Sequence, residues 1–256
     1  MRGFRPPSGP RTALGILVGA LFWLLLILFS SAQVTSPGPG QALLSRAIAA
    51  LLDLDAALPY LVTSLHQQAQ EASQPIVQVP DYPVPIEVDR DMALAMDQMQ
   101  LRALLLDETA RRVYDQGMGI LAEDEGRSLD PFSAPGLIDR GLGLIREEVH
   151  LWLTVATIVV VIAWAGIAWS ATAGLKWPTR LLLWGGTMAA GALTLVLTAL
   201  LARVAMKALQ AGSDPLIREL WQVGLDASSL FLRNALATSA LGSASSLLGI
   251  LSLTTK

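Results

Sequence analysis

The sequence predicts an all-α, multi-span membrane protein with an exported helical-bundle region between its first and second transmembrane helices. Three observations lead to this prediction: long apolar segments without charge, apolar seams at helical spacing, and uneven placement of charge along the chain. The 256 residues are 53% hydrophobic and only 15% charged, whereas soluble domains carry about 25% charged residues. This composition argues against a soluble globule and a nucleic-acid-binding protein. The absence of Cys excludes thiol catalysis and Cys-based metal sites.

Three apolar segments have the length of about 20 residues that a helix needs to cross the bilayer. They cover residues 12–32, 150–173 and 181–202, and none of them contains Asp, Glu, Lys or Arg. A soluble helix of this length shows a polar stripe, which these segments lack. The second and third segments are therefore interpreted as transmembrane helices.

The first segment has two interpretations, a transmembrane anchor or a signal peptide. Arg2, Arg5 and Arg11 precede it, and the small residues at 30–32 fit a signal-peptidase site. The apolar run at 13–29 is 17 residues long, which exceeds the usual signal core of about 7–15 residues and favours an uncleaved anchor. Both alternatives leave the region that follows outside the cytoplasm.

The orientation follows from the positive residues in short connections. Residues 1–11 carry three Arg, and the predicted loop 174–180 carries Lys176 and Arg180 without an acid, so both are placed in the cytoplasm. The region 33–149 then faces outside, with 18 Asp and Glu against 8 Arg and no Lys. The chain has 15 Arg against 3 Lys, which favours a bacterial source. Together with the apolar segments, this source predicts location in the bacterial inner membrane.

The exported region begins with a predicted linker at 33–40, followed by a helix with a kink expected near Pro59. Residues 75–88 contain four Pro and predict an extended strap across a surface. The apolar seam of the helix has spacings of three and four and consists of Leu44, Ala47, Leu51, Leu54, Leu58, Leu61 and Leu65.

A second exported helix is predicted to start at a cap formed by Asp89 or Asp91 and to carry the ion pairs Asp107–Arg111 and Glu108–Arg112. Residues 122–134 are predicted to be an acidic loop. A third helix then starts near Ser133 and Pro135 and continues unbroken into the second span. The seam of the second helix consists of Met92, Met96, Met99, Ala103, Leu106, Ala110, Val113, Gly117 and Ile120.

The C-terminal region 203–256 predicts an amphipathic helix that begins at Asp214-Pro215 and keeps one apolar seam from Leu216 to Leu251. Asn234 is the polar member of this seam, and a residue of this kind fixes helix register. The polar stripe stops at Arg233, so two alternatives remain. The helix re-enters the membrane, or it packs on the exported bundle. Small pairs suited to close helix packing occur here and in the third span, at Gly242/Ser246, Ser245/Gly249, Gly185/Ala189 and Gly186/Ala190.

Few side chains form a pattern that indicates chemistry. Glu147 and His150 have the Glu-x-x-His spacing of di-iron bundles, but His66 lacks a Glu three residues before it, so a helix end is the preferred interpretation. Close carboxylates lack the spacing of a calcium loop and are interpreted as caps or surface; they are Asp53, Asp55, Asp89, Asp91, Glu123, Asp124 and Glu125. Gly141 and Gly143 lie in a helical pattern, which disfavours phosphate binding, and Met92, Met96 and Met99 are interpreted as core. No catalytic, cofactor-binding or metal-binding residue and no cofactor is assigned.

The leading functional prediction is a non-catalytic integral membrane protein whose exported helical region binds a partner or supports a membrane complex. Its predicted partners are membrane lipids and a protein, or a second copy through the helix seams, and not nucleic acid. One alternative is a sensor subunit that signals through another chain, because its own cytoplasmic segments have only 11 and 7 residues. The other is a small channel or lipid-handling protein, although the predicted spans lack the interior charges usual for ion pathways.

Overall fold

The computed structural model describes residues 9–117, 120, 141–212 and 215–254. The chain is all-α in class and 84% helical, as predicted. Its described residues fall into two compact units. The four-helix unit comprises Met1–Gln33, Leu151–Met206 and Ala227–Lys256, and the inserted unit comprises Val34–His150 and Lys207–Asp226.

Among the described residues, four helices are long and apolar enough to cross a membrane: α1 (Gly9–Val34), α6 (Glu147–Ala171), α7 (Trp177–Ala211) and α8 (Pro215–Thr254). Three of them coincide with the predicted apolar segments, and α8 is the predicted C-terminal helix. The connection between α6 and α7 is shorter than the predicted loop, and α7 extends past the predicted span to Ala211. Two shorter helices, α2 (Pro37–Leu51) and α3 (Leu54–Glu71), reach the same length and hydropathy only as a pair, which is bent by 84°.

The core of the four-helix unit takes residues from all four long helices. Phe22 of α1 packs against Trp164 of α6 with the rings tilted and their centroids 5.3 Å apart. The outer faces are strongly apolar, for example at Ile162 and Leu201, which are 67% and 72% exposed. Exposed apolar faces of this extent are typical of helices surrounded by lipid. The buried cluster consists of Phe22, Leu26, Ala192, Leu195, Val196 and Ala235.

The four helices alternate in direction. Leu14 near the start of α1 lines the same cleft as Ala168 near the end of α6, so these two helices run antiparallel. At the other end, the Nη1 of Arg203 in α7 donates to the Oγ of Ser228 in α8, at 3.0 Å. The chain therefore leaves the unit four times, near residues 33, 151, 206 and 227, at one common end.

Helices α7 and α8 approach each other closely through small residues. A Cβ atom added to Gly185 would lie 2.5 Å from the carbonyl oxygen of Gly242, and one added to Gly242 would lie 2.6 Å from the amide nitrogen of Ala189. Such distances leave no room for any side chain at either glycine. This contact confirms the predicted match between Gly185/Ala189 and Gly242/Ser246.

The predicted leucine seam of α8 is wrong in its second half. Leu241, Leu248 and Leu251 are 64%, 61% and 60% exposed, so they face outward. Close approach of two helix backbones requires the small residues at the interface, and that choice turns the leucines away from the protein. Asn234 does lie between helices, as predicted, because its Nδ2 donates to the Oγ of Ser30 (3.2 Å) and to the Oε1 of Gln33 (2.7 Å).

In the inserted unit, α2 and α3 pack against α5 (Gln98–Gln116). Six of the seven residues in the predicted first seam are buried, and Leu51 is the exception at 41% exposed. The core also takes Leu101 and Leu105 of α5, which are fully buried. Each of α2 and α3 thus has one buried apolar face and one face that carries charge, whereas the four long helices are apolar on their outer faces.

Two predicted interruptions lie elsewhere in the structure. The predicted linker at 33–40 is wrong, because α1 continues to Val34 and α2 begins at Pro37; proline is tolerated there, since the first helical turn needs no amide donor. The kink or break predicted near Pro59 lies earlier in the chain than predicted. The chain bends before α3 at Asp53, whose φ is 43°, and α3 accommodates Pro59 in its interior.

The proline-rich segment is non-helical, as predicted, but it is not a simple strap. Strands β1 (Ile76–Gln78) and β2 (Glu87–Asp89) pair antiparallel, with Val77 opposite Val88. Val77, Val79, Val84, Ile86 and Val88 are buried, so the hairpin contributes to the core.

The predicted second helix is two helices, α4 (Arg90–Ala95) and α5. Asp97 begins α5 with a capping box, in which its carboxylate accepts from the amide of Gln100 at 2.8 Å. The predicted third helix is also interrupted, because residues 144–146 separate the helical residues 141–143 from α6. The acidic loop 122–134, Ser133 and Pro135 lie outside the described residues.

Candidate partner-binding groove

An open groove of about 710 Å³ runs along the surface of the inserted unit. Residues of α2, α5, the start of α3 and the start of α8 line it, so segments far apart in sequence meet there. Leu106 and Val223 supply apolar surface, and the charged lining consists of Arg46, Asp55, Arg102, Asp107 and Glu219.

Three of these charged residues take part in two ion pairs that are open to solvent. The Nε of Arg102 donates to Oδ1 of Asp55 at 2.6 Å, and Arg46 pairs with Asp226 of α8. The side chains of Asp55 and Arg46 are 70% and 64% exposed. Exposed pairs contribute about 0–1 kcal/mol to stability, so a partner's charges can replace them at little cost.

The Arg102–Asp55 pair is charged at neutral pH. The hydrogen bond from Arg102, and secondarily its positive charge, lowers the pKa of Asp55 below its usual value. The same hydrogen bond raises the pKa of Arg102, and the negative charges of Asp55 and Glu219 act in the same direction.

The acids outnumber the arginines in the groove. Within the described part of the chain, Asp107 and Glu219 form no ion pair. The sequence predicted that Asp107 pairs with Arg111, but Arg111 pairs with Glu108, as does Arg112. Asp107 thus remains on the groove, and the groove has a net negative charge.

Neither histidine lines the groove. His66 lies with its Nε2 3.1 Å from the carbonyl oxygen of Met96, which ties α3 to the end of α4. Glu147 and Glu148 lie in the first turn of α6, where negative charge is favourable for the helix dipole, and His150 follows them. Among the described residues, no group of three or more His, Asp or Glu could hold a metal ion.

Two further carboxylates cap helix starts, and a third lies at a bend of the chain. Asp89 caps α4, as predicted, and accepts from the amides of Asp91 and Met92 at 2.9 and 3.3 Å. Asp53 lies at the bend between α2 and α3. Asp97 was missed as a cap, although the Asp-x-x-Gln pattern it forms with Gln100 was readable. Glu123, Asp124 and Glu125 lie outside the described residues.

The interpretation of the three methionines as core is wrong for two of them. Met96 is 7% exposed, but Met92 and Met99 are 58% and 77% exposed. The break between α4 and α5 changes the helical phase, so the two outer methionines face solvent. Gly141 and Gly143 lie in helical backbone, as their pattern predicted.

The groove itself leaves no local signal in the sequence. Its two ion pairs join residues that are 180 and 47 positions apart, and no local pattern links them. Comparison with known proteins adds no identification: no family model, no curated protein and no solved structure matches the chain.

Proposed function

We propose that this chain is a non-catalytic integral membrane protein that binds a basic segment of a partner protein in the groove of its inserted unit, outside the cytoplasm. The observation that carries the proposal is the open groove with Asp107 and Glu219 unpaired among the described residues. A groove with excess negative charge favours an approaching basic segment and disfavours an acidic one.

The proposed topology has four spans, with α8 returning to the cytoplasmic side. Because the helices alternate in direction, the short connection with Lys176, and Arg180 in the first turn of α7, lie at the end opposite the four chain exits. Positive residues in short connections favour the cytoplasmic side. The exposed leucines of α8 and its close contact with α7 support a span over a surface helix.

We further propose that α1 stays attached as an anchor. Val18, Phe22 and Leu26 are 4%, 4% and 5% exposed in the four-helix unit. Cleavage after residue 32 would remove these side chains and leave α6, α7 and α8 with an open core. This burial favours the anchor over the cleaved signal peptide.

Single cysteines in this Cys-free chain test the topology. Met99→Cys and Gly212→Cys are expected to react with an impermeant thiol reagent on intact bacterial spheroplasts. Ala173→Cys and Thr254→Cys are expected to react only after permeabilisation. All four native residues are exposed in the structure, so protection reports the side of the membrane. The readout is the intact mass of the labelled protein, which also shows whether residues 1–32 are retained.

Each outcome decides one part of the topology. Labelling at Ala173→Cys in intact spheroplasts would show that the orientation is the reverse of the proposed one. Labelling at Thr254→Cys but not at Ala173→Cys in intact spheroplasts would show that α8 does not return to the cytoplasmic side. A mass without residues 1–32 would show that the first segment is a cleaved signal.

Site-specific photocrosslinking tests the groove. A benzoylphenylalanine at Ala42, an exposed groove residue, is expected to give one discrete adduct in native membranes. The same probe at Gln70, which is exposed on α3 and does not line the groove, is the matched control. The adduct's mass distinguishes another protein from a second copy.

Charge reversal identifies the chemistry of the partner. The double substitution Asp107→Lys with Glu219→Lys is expected to reduce the adduct at least about tenfold, since each mismatched charge repels a basic segment. Asp115→Lys changes an exposed acid of α5 that does not line the groove and is expected to leave the adduct unchanged. Equal adducts at Ala42 and Gln70, or an adduct insensitive to the double reversal, would contradict the proposal.

A further inference from the structure

A second cavity, of about 410 Å³, lies within the four-helix unit. The first turns of α1, the end of α6 and the start of α7 line it, with Leu14, Gly15, Val18, Leu183 and Trp184 among its walls. Its volume lies in the range of about 300–1,000 Å³ that is usual for small-ligand sites. It is separate from the groove of the inserted unit.

The lining of this cleft is apolar in effect. Thr172 and Thr187 line it, but their hydroxyls donate to carbonyl oxygens four and three residues earlier, those of Ala168 (2.8 Å) and Trp184 (2.9 Å). The indole of Trp184 donates to the same Ala168 oxygen at 3.4 Å. With these polar groups occupied, the cleft suits a hydrocarbon chain better than a hydrogen-bonding solute.

Two cations stand beside the cleft. Leu175 lines it, Lys176 follows Leu175 in the chain, and the Nε of Arg180 donates to the carbonyl oxygen of Leu175 at 3.0 Å. The guanidinium of Arg180 also lies 5.0 Å from the centroid of Trp169. These contacts hold the arginine next to the cleft. The sequence contains no Asp or Glu between Glu148 and Asp214, so no acid of this segment neutralises the two cations.

Three tryptophans place this end of the unit at the level of lipid headgroups. The ring centroid of Trp184 lies 6.2 Å from that of Trp169 and 6.1 Å from that of Trp177. Tryptophans concentrate at the boundary between hydrocarbon and water, where one edge of the ring is apolar and the other is wet. An apolar cleft and two cations therefore meet at the depth where a phospholipid changes from acyl chain to phosphate.

We propose that this cleft binds an anionic phospholipid, with one acyl chain in the cleft and the phosphate beside Lys176 and Arg180. A zwitterionic lipid offers the same chain but no net charge for the two cations. A preference for the anionic lipid of about fivefold per cation follows from the attraction of basic residues near a membrane surface.

Quenching of tryptophan fluorescence by brominated lipid tests the proposal on the full-length protein in phosphatidylcholine vesicles. Brominated phosphatidylglycerol is expected to quench more strongly than brominated phosphatidylcholine at equal mole fraction. The difference between the wild type and Trp184→Phe isolates the signal of the tryptophan in the cleft. In the double variant Lys176→Gln with Arg180→Gln, the two brominated lipids are expected to quench equally.

Two controls separate the cleft from general attraction to the bilayer. Arg203→Gln with Lys207→Gln removes the same number of charges near the other end of α7 and is expected to keep the preference. Gly15→Leu fills the cleft and is expected to reduce quenching of Trp184, whereas Gly19→Leu, one turn away and not lining the cleft, is not.

Equal quenching by the two brominated lipids in the wild type would overturn the proposal. So would the same quenching in Gly15→Leu and Gly19→Leu. Because the charge variants leave the apolar lining intact, they keep the test decisive even where Gly15→Leu does not fold.

Discussion

Gly185→Val is expected to separate α7 from α8 and to destabilise the four-helix unit, whereas Gly186→Val is expected to have little effect. The Cβ of a residue at 185 would lie 2.5 Å from the carbonyl oxygen of Gly242 and 2.7 Å from the amide nitrogen of Ser246. Both atoms belong to backbone, which cannot rotate away as a side chain can. Overpacking costs about 1–3 kcal/mol, and occasionally more, so we expect the upper part of that range or loss of folding.

The adjacent glycine provides the matched control. A Cβ at Gly186 would meet nothing within 4 Å, and the two variants have the same composition and the same helix propensity change. The measurement is the loss of helical circular dichroism during titration of the purified protein from mild detergent into sodium dodecyl sulfate. Equal midpoints for the two variants would show that the helices do not meet at Gly185.

The same contact shows what could be predicted of the membrane helices. The matching small pairs in two segments identified the interface, because small residues permit backbone approach in lipid. The leucine seam of α8 predicted that the opposite face of this helix is buried, and that prediction was wrong in its second half. In water, an apolar seam marks the buried side, but in lipid both faces are apolar and only residue size distinguishes them. The hydropathy pattern therefore predicted where the long helices are, while residue size predicted how two of them pack.

In the inserted unit, buried residues were predictable within an uninterrupted helix, where the apolar spacing continues from one turn to the next. The first seam identified six buried residues across α2 and α3, although a bend at Asp53 separates the two helices. The predicted spacing of buried residues fails after Met96, because α4 ends there and α5 begins at its cap, Asp97. Periodicity alone continues through such a break, whereas the Asp-x-x-Gln cap marks it.

Contacts between segments that are distant in sequence could not be predicted from local sequence patterns. The hairpin of β1 and β2 depends on pairing across the proline-rich turn, and the groove depends on α8 meeting α2 and α5. Asn234 is intermediate between these cases. Its place in an apolar seam indicated an interhelical role, but its partners Ser30 and Gln33 lie about 200 residues away and needed the structure.

Leu105→Ala is expected to destabilise the inserted unit by about 2–5 kcal/mol, the usual cost of truncating a fully buried leucine. Leu105 is 0% exposed and lies on α5, where that helix packs against α2 and α3. Met99→Ala on the same helix is the control, because Met99 is 77% exposed and substitutions at such sites change stability by about 0.5 kcal/mol or less.

Amide hydrogen exchange on the full-length protein measures the loss of stability of each variant separately for each helix. Protection of peptides from α2 and α5 is expected to fall at least about 30-fold in Leu105→Ala and to stay near the wild-type value in Met99→Ala. Leu51→Ala adds a direct comparison, since Leu51 belongs to the predicted seam and is 41% exposed. A loss of protection in Leu51→Ala as large as in Leu105→Ala would favour the uninterrupted seam over the bend at Asp53.

The two faces of α5 also separate stability from binding. Leu105 points into the core, while Asp107, two residues later, lines the groove. Leu105→Ala is therefore expected to lower both the exchange protection and the crosslink from Ala42. Asp107→Lys is expected to weaken the crosslink and to leave the protection unchanged, because its carboxylate forms no ion pair among the described residues. A loss of protection in Asp107→Lys would mean that the groove charges stabilise the fold and that the crosslink cannot be assigned to charge recognition.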